Sequence, residues 1–204
     1  MPVDQALLLY LKLLAGRNDR HGRVVVPVTA TSQVEAIVAD RFEVTRTPRS
    51  LAALTNAAAQ EGVVFAGAVG GGYVFPEFLP AYDAIASLCK LLELLAAVER
   101  PLSSLVEELP RPTLVHRQIA CPWALKGMVM RVLNERFADA NVDLRDGIKI
   151  FDERGWVQVL PDPDEPLVHI YAEGPTTEVS DELEHELRAI LNDAINREEI
   201  AARG

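Results

Sequence analysis

A chain of 204 residues has room for one large domain or two small ones, and 49% hydrophobic with 25% charged residues is the make-up of an ordinary soluble globular protein. A formal net charge of -10 argues against nucleic acid as a partner, because phosphate backbones are held by clustered Lys and Arg. The early apolar run 6–14 is short and is flanked or interrupted by Asp4 and Lys12, so it reads as neither a signal peptide nor a spanning helix; no membrane partner is expected, and the cytoplasm is the expected compartment.

Residues 4–15 predict a helix with few polar positions. The β-branched run 23–28 predicts a buried strand. Ser32 and Glu35 form a capping-box pattern that opens a helix to about Asp40. Strand 42–46, helix 50–60 and strand 63–66 follow, and this alternation implies a small parallel α/β sheet. The next stretch, Gly67-Ala68-Val69-Gly70-Gly71-Gly72, does not fit regular structure, since glycine loses the most backbone entropy on ordering. It follows a strand, where α/β folds usually bind ligands. A long apolar helix is predicted over 80–98. Pro101 and Pro110 bracket a short helix and mark a boundary between a domain of residues 1–100 and one of residues 101–204.

The second half has a different rhythm. Strand 113–120 and the amphipathic helix 123–137 are followed by strands 148–151 and 156–160, joined by the hairpin signal Asp152-Glu153-Arg154-Gly155. Strand 167–173 completes a three-stranded meander. Ser180 is expected to cap a last helix running to about Arg197, with acidic residues in its first turn. The pattern is α+β with an antiparallel sheet. Cys89 and Cys121 both sit in apolar surroundings and are expected to be buried, reduced thiols with no zinc spacing. Glu184-His185-Glu186 lacks the second His of a zinc helix. His116 and His169 fall in strands and read as structural, and Lys126 and Arg131 are expected on the solvent face of their helix.

Three stretches in the first half carry a resemblance: Tyr82-Asp83-Ala84-Ile85-Ala86, Leu91-Leu92-Glu93-Leu94-Leu95 and Arg100-Pro101-Leu102-Ser103. They resemble the end of the third domain of the α-D-phosphohexomutases, the phosphomannomutase/phosphoglucomutase family. Asp146-Gly147-Ile148-Lys149, Gly155-Trp156 and Ile170-Tyr171-Ala172-Glu173 resemble that family's fourth domain. The resemblance covers nearly the whole chain in order. It implies a small parallel α/β sheet domain followed by an antiparallel-sheet domain like the TATA-binding protein. In the family, four domains surround one cleft. The first supplies a phosphorylated serine, the second an acidic magnesium loop, the third a sugar-reading loop and the fourth a phosphate-clamping loop. Nothing here resembles the serine or metal loops. The resemblance therefore implies upstream domains of the same polypeptide as partners, no cofactor in this chain, and Mg2+ only where those domains are present.

The family's sugar-reading loop runs Gly-Glu-x-Ser-Gly-His. Here the resemblance sets Gly67, Ala68, Val69, Gly70, Gly71 and Gly72 against it, so that the hydrogen-bonding side chains are gone; each lost bond is worth about 0.5–1.5 kcal/mol. The phosphate clamp runs Arg-Pro-Ser-x-Thr-Glu-Pro, against which stand Leu160, Pro161, Asp162, Pro163, Asp164, Glu165 and Pro166. The guanidinium is lost, and Asp162 and Asp164 would repel a phosphate by about 4 kcal/mol per pair at ~4 Å and an effective dielectric of 20. The acidic turn is expected to be solvated and not a cation loop. The turn Arg46-Thr47-Pro48-Arg49-Ser50 has also lost the family's glycine; Arg46 and Arg49 read as surface charge. No catalytic residue and no metal ligand is assigned to this chain. The expectation is a degenerate mutase module, structural or regulatory, within a sugar-nucleotide enzyme resembling mannose-1-phosphate guanylyltransferase fusions. An active mutase fragment with an unusual phosphate site, or a stand-alone interaction module, are the alternatives. Any hexose phosphate is expected to bind weakly, and a homo-oligomer is compatible with the sequence.

Overall fold

The computed structural model describes residues 3–17 and 21–201. It divides into two compact units, Met1–Pro112 and Thr113–Gly204. The division falls later than the expected 100/101. The short helix α5 (Leu102–Glu107) contributes Leu105, and the residues after it contribute Leu109, to the first unit's core.

The first unit is built on a four-stranded sheet in the order β2-β1-β3-β4: β1 (Gly22–Pro27), β2 (Phe42–Thr47), β3 (Val63–Gly67) and β4 (Tyr73–Val74). β1 runs parallel to both β2 and β3, as the alternation of strands and helices implied. β4, which the sequence pattern did not announce, turns back antiparallel to β3. Successive strand side chains point to opposite faces. Val24 and Val26 therefore join one core with α1 (Val3–Ala15), α2 (Gln33–Val38), α4 (Ala84–Val98) and α5, while Val25 joins another with α3 (Leu51–Ala58). In β3 a register shift against β1 between Val63 and Phe65 breaks the alternation, so that Phe65 enters the first core and Val63 and Ala66 the second.

The helix starts refine the sequence reading. The Ser32–Glu35 capping box does not form, since the Ser32 side chain makes no capping bond and Glu35 is drawn away to Arg46. The long helix begins at Ala84, not at residue 80. Asp83 Oδ1 accepts the Ala86 amide at 2.8 Å, a cap worth about 1 kcal/mol. The far side of α4 is not covered: Ile85, Leu88, Cys89 and Leu92 are exposed, and so is Phe78 in the preceding loop. Cys89 is thus not the buried thiol expected from its apolar neighbours, because those neighbours lie on the exposed face with it.

The second unit is a five-stranded antiparallel sheet in the order β5-β9-β8-β7-β6. Its strands are β5 (Val115–Ala120), β6 (Asn141–Asp143), β7 (Ile148–Asp152), β8 (Gly155–Pro161) and β9 (Leu167–Glu173). β6, too short and polar to stand out in sequence, extends the expected meander. Helices α6 (Trp123–Arg136) and α7 (Thr177–Ala201) cover one face. Ile148, Ile150, Val157, Val159, Val168 and Ile170 pack there with Val129, Leu133, Leu187 and Leu191. The alternate residues of the same strands, among them Lys149, Trp156, Gln158, His169 and Tyr171, form a polar and aromatic second face. Lys149 Nζ lies 3.4 Å from the Trp156 ring centroid, and Trp156 Nε1 donates to Glu173 at 3.0 Å. Ser180 does not cap α7. The helix starts three residues earlier, and the buried Ser180 hydroxyl donates to the Thr176 carbonyl and accepts the Gly174 amide.

Gly147 and Gly127 give opposite predictions. Gly147 has φ +65°, and a Cβ there would lie 2.0 Å from the Val159 carbonyl oxygen. Gly147→Ala should destabilise the second unit by about 2–4 kcal/mol. Gly127 lies inside α6 with open space around the Cβ position, so Gly127→Ala should stabilise it by about 0.5–1 kcal/mol. Urea unfolding followed by Trp156 fluorescence measures both.

Candidate functional site

The two loops singled out by sequence lie in different units. In the first, residues 68–72 are the tight connection of a hairpin. Ala66 pairs with Val74 and Gly67 with Tyr73. The Ala68 amide donates to the Gly72 carbonyl at 3.2 Å, and the Gly71 amide donates to the Ala68 carbonyl at 3.3 Å. Gly70, Gly71 and Gly72 have φ of +94°, +107° and +85°, which L side chains rarely adopt. A Cβ on Gly72 would also meet the Tyr82 ring at 2.6 Å. The Gly67, Ala68, Gly70, Gly71 and Gly72 positions thus keep a defined turn and offer a ligand only backbone. Beside the turn is a cleft of about 510 Å³ lined by Tyr10, Tyr73, Tyr82, Asp83 and Ser87 among others, with no Lys, Arg or His among the described residues. Tyr10 donates to the Ser87 carbonyl at 2.8 Å. The Tyr73 phenol is pushed up to about 12, first by burial and then by Tyr10 and Asp4. Among the described residues the cleft presents aromatic surface and the Asp83 carboxylate.

Arg46 is a structural clamp, not surface charge. Its guanidinium meets both oxygens of Glu35 at 2.8 Å and donates to the Ala30 and Thr31 carbonyls at 2.7 and 3.0 Å. The two-pronged carboxylate bond and the two carbonyls tie β2 to the turn after β1.

The acidic loop of the second unit joins β8 to β9. Leu160, where the resemblance puts a guanidinium, is buried and stands opposite His169 in the β8–β9 register. The Asp162 carboxylate is turned into the loop. Its Oδ1 accepts the Asp164 and Glu165 amides, both at 2.8 Å, and its Oδ2 lies 2.7 Å from His169 Nε2. These bonds hold the Asp162 carboxyl down to about 2, with the His169 bond the largest cause and the Asp164 amide next. The solvated turn expected from sequence is therefore correct for the exposed Asp164 and Glu165 side chains and not for Asp162. Both Asp162 oxygens are engaged within the protein, and among the described residues there is no group of three or more His, Cys, Asp or Glu that could hold a metal ion.

His169, only 2% exposed, is fixed from its other side. Its Nδ1 lies 2.9 Å from Nε2 of His116, whose ring stacks on Tyr171 with centroids 4.3 Å apart. Lys126 secures the carbonyl side of the loop. It is 9% exposed, not on the solvent face, and its Nζ donates to the Asp162 carbonyl at 2.6 Å and to the Glu165 carbonyl. Its ammonium lies 3.7 Å from the Trp123 ring centroid, a favourable cation–aromatic contact. The Cys121 amide donates to the Pro166 carbonyl at 2.8 Å, docking the loop's end against the start of α6. The Cys121 thiol is buried, as expected, and its pKa is pushed up by that burial.

The reading of His116 and His169 as structural histidines agrees with their hydrogen bonds, whereas the inward placement of Lys126 and the link from His169 to Asp162 were not foreseen. One signal was available: period-two alternation puts His169 and Tyr171 on the strand face away from Val168 and Ile170.

The profile of the family described as phosphoglucomutase/phosphomannomutase, alpha/beta/alpha domain III, matches residues 2–113. The chain is 32% identical to the probable phosphoglucosamine mutase of Methanothermobacter thermautotrophicus, over 85% of this chain and 40% of that protein. It is 33% identical to the probable phosphoglucosamine mutase of Methanopyrus kandleri, over 83% of this chain and 38% of that protein. The chain thus spans about two-fifths of the length of these relatives. Its fold is similar to that of a phosphoglucomutase/phosphomannomutase family protein from Burkholderia thailandensis, with a TM-score of 0.76 at 21% identity, covering 94% of this chain and 41% of that one.

Two predictions come from the loop. A group whose folded pKa is depressed adds stability that is complete above its unfolded value and is lost as pH falls through the folded value. The Asp162 contribution should therefore persist to below pH ~4 and disappear around pH 2. A 13C titration of its carboxyl should show a midpoint near 2, moving up in His169→Gln. Second, Lys126→Met keeps the apolar stem but leaves the two carbonyls without their ammonium. It should cost about 1–3 kcal/mol and speed hydrogen exchange at the Asp164 and Glu165 amides. Arg131→Met, which removes only an exposed 4.0 Å pair with Glu135, should stay within about 0.5 kcal/mol.

Proposed function

Because the chain belongs to the phosphoglucomutase/phosphomannomutase family, we propose that it is the third- and fourth-domain module of a hexose-phosphate mutase-type protein whose phosphate clamp has been retired. The module serves structure or regulation in a larger sugar-phosphate or sugar-nucleotide enzyme. The observation that carries this reading is the Asp162 carboxylate lying on the loop amides and on His169. In that position a bound phosphate would lose those donors and face a like charge, with buried Leu160 in place of a guanidinium.

The exposed apolar residues Ile85, Leu88 and Leu92 of α4 support a module that works covered by a further domain or by a second copy. A fusion behind a mannose-1-phosphate guanylyltransferase is one such setting. The relatives are named phosphoglucosamine mutases, so an aminohexose phosphate is the ancestral substrate under this reading, bound weakly if at all by this chain.

The test is a coupled mutase assay on the full native polypeptide with glucosamine 1-phosphate, glucose 1-phosphate and mannose 1-phosphate plus magnesium. The expected result is no turnover above background, with any nucleotidyl transfer in the same preparation intact. Robust turnover that is lost on deleting residues 155–174 would overturn the reading.

A further inference from the structure

We propose that His116 and His169 form an acid-released latch: one shared proton holds the exposed His116 ring of β5 to the buried His169 ring of β9, and the contact opens when both rings are charged. The latch does not depend on whether the module binds a hexose phosphate.

His169 Nε2 lies 2.7 Å from Asp162 Oδ2, and His169 Nδ1 lies 2.9 Å from His116 Nε2. The Asp162 carboxyl, held down to about 2, brings no hydrogen to the first contact above that pH, so His169 Nε2 carries it. While His169 is neutral, its Nδ1 is then an acceptor and His116 Nε2 donates. This arrangement survives a charge on His116, whose Nε2–H keeps its direction. When His169 carries the charge instead, the direction reverses: Nδ1–H donates, and His116 is neutral with a bare Nε2. In every case one hydrogen lies between the rings and the pair holds at most one positive charge. A second charge puts a hydrogen on each of two nitrogens that face one another and brings two cations into contact, so the bond is lost. The protons belong to the pair and not to either ring.

The surroundings favour one charge over two. The Asp162 carboxylate touches the pair and offsets one imidazolium. The Asp164 and Glu165 side chains are exposed, and Lys126 of α6 is committed to the loop carbonyls. Leu160 of β8 and Gln118 of β5 stand opposite His169 and are uncharged. Tyr171 of β9 lies flat on His116, with centroids 4.3 Å apart. Lys149 of β7 lies in the same cross-strand row beyond Gln158, with its ammonium over the Trp156 ring. Glu173, farther along β9, accepts from Trp156. Arg117 of β5 pairs with Asp181 of α7. The ring that leaves is His116, because it is exposed and water can receive it, whereas His169 is buried and keeps Asp162. β5 itself stays in the sheet, paired with β9 from Val115 to Ala120. The movement uncovers the Tyr171 ring, which is now buried.

The experiment is an NMR titration of the 204-residue chain between about pH 8 and about pH 4. It reads the ring nitrogens of both histidines and the cross-relaxation between the His116 and Tyr171 rings. The expected result is an Nε2–H tautomer for His169 at the high end, a ring contact that survives uptake of the first proton, and its loss with the second. The Asp164 and Glu165 amides should not shift with that step, since the Asp162 carboxylate retains them. His116→Phe keeps an aromatic ring against Tyr171 and removes the shared proton, so its ring contact should stay constant over the whole range. His169→Gln replaces the facing nitrogen with an amide that does not titrate, so the His116–Tyr171 contact should persist to the low end. Either variant suffices where the other does not fold. A wild-type contact that stays constant, that is lost with the first proton, or that is lost as readily in the variants overturns the proposal. So does loss that comes only together with the Val159 and Ile170 amide signals, which marks unfolding of the whole unit.

Discussion

An ammonium group taken out of water needs acceptors around it, and Lys126 finds them in the Asp162 and Glu165 carbonyls and the face of Trp123. Much of the second unit's loop chemistry is a consequence. Once those carbonyls are committed to α6, the Asp164 and Glu165 amides need partners of their own, and the Asp162 side chain supplies one oxygen to both. The other oxygen engages His169, which brings in His116 and, by stacking, Tyr171. A run that reads in sequence as plain surplus acidity is one end of a connected polar network that begins on a helix and ends on an edge strand. Removing any member leaves another without its partner, which is why such networks are either well satisfied or costly.

The first unit follows a different economy. Its glycine-rich hairpin loop is defined by backbone alone, with three successive positive φ values and an aromatic ring packed against the last of them. The Arg46 guanidinium is turned inward to join a strand to a turn. The result is an α/β layer whose hairpin loop is set by backbone conformation and ring packing, with the apolar residues Ile85, Leu88 and Leu92 of α4 left exposed.

The sequence disclosed the elements whose signals are local. The β-branched run of β1, the hairpin turn at Asp152–Gly155 and the apolar stripe of α6 and α7 each carry their own period or turn chemistry, and each is where it was expected. Elements defined by their neighbours were hidden. β4 and β6 are two and three residues long and are strands only because a longer strand lies alongside. Ser32 and Ser180 carry good capping chemistry, but Arg46 takes Glu35 from the first, and the Thr176 and Gly174 backbone claims the second. The acidic loop was legible as a place. The contacts that hold it were not, because Lys126 and His169 reach Asp162 across 36 and 7 positions of chain, and neither contact has a spacing rule.

Gly72 couples the hairpin to the cleft beside it. A histidine, which the resemblance sets at this position, would need a backbone angle that side chains avoid and the space now filled by Tyr82. Any side chain here is therefore opposed from two sides, by conformation and by volume, and Tyr82 would have to move to admit one. The turn and the ring form one unit of variation: neither can change its shape without an answering change in the other.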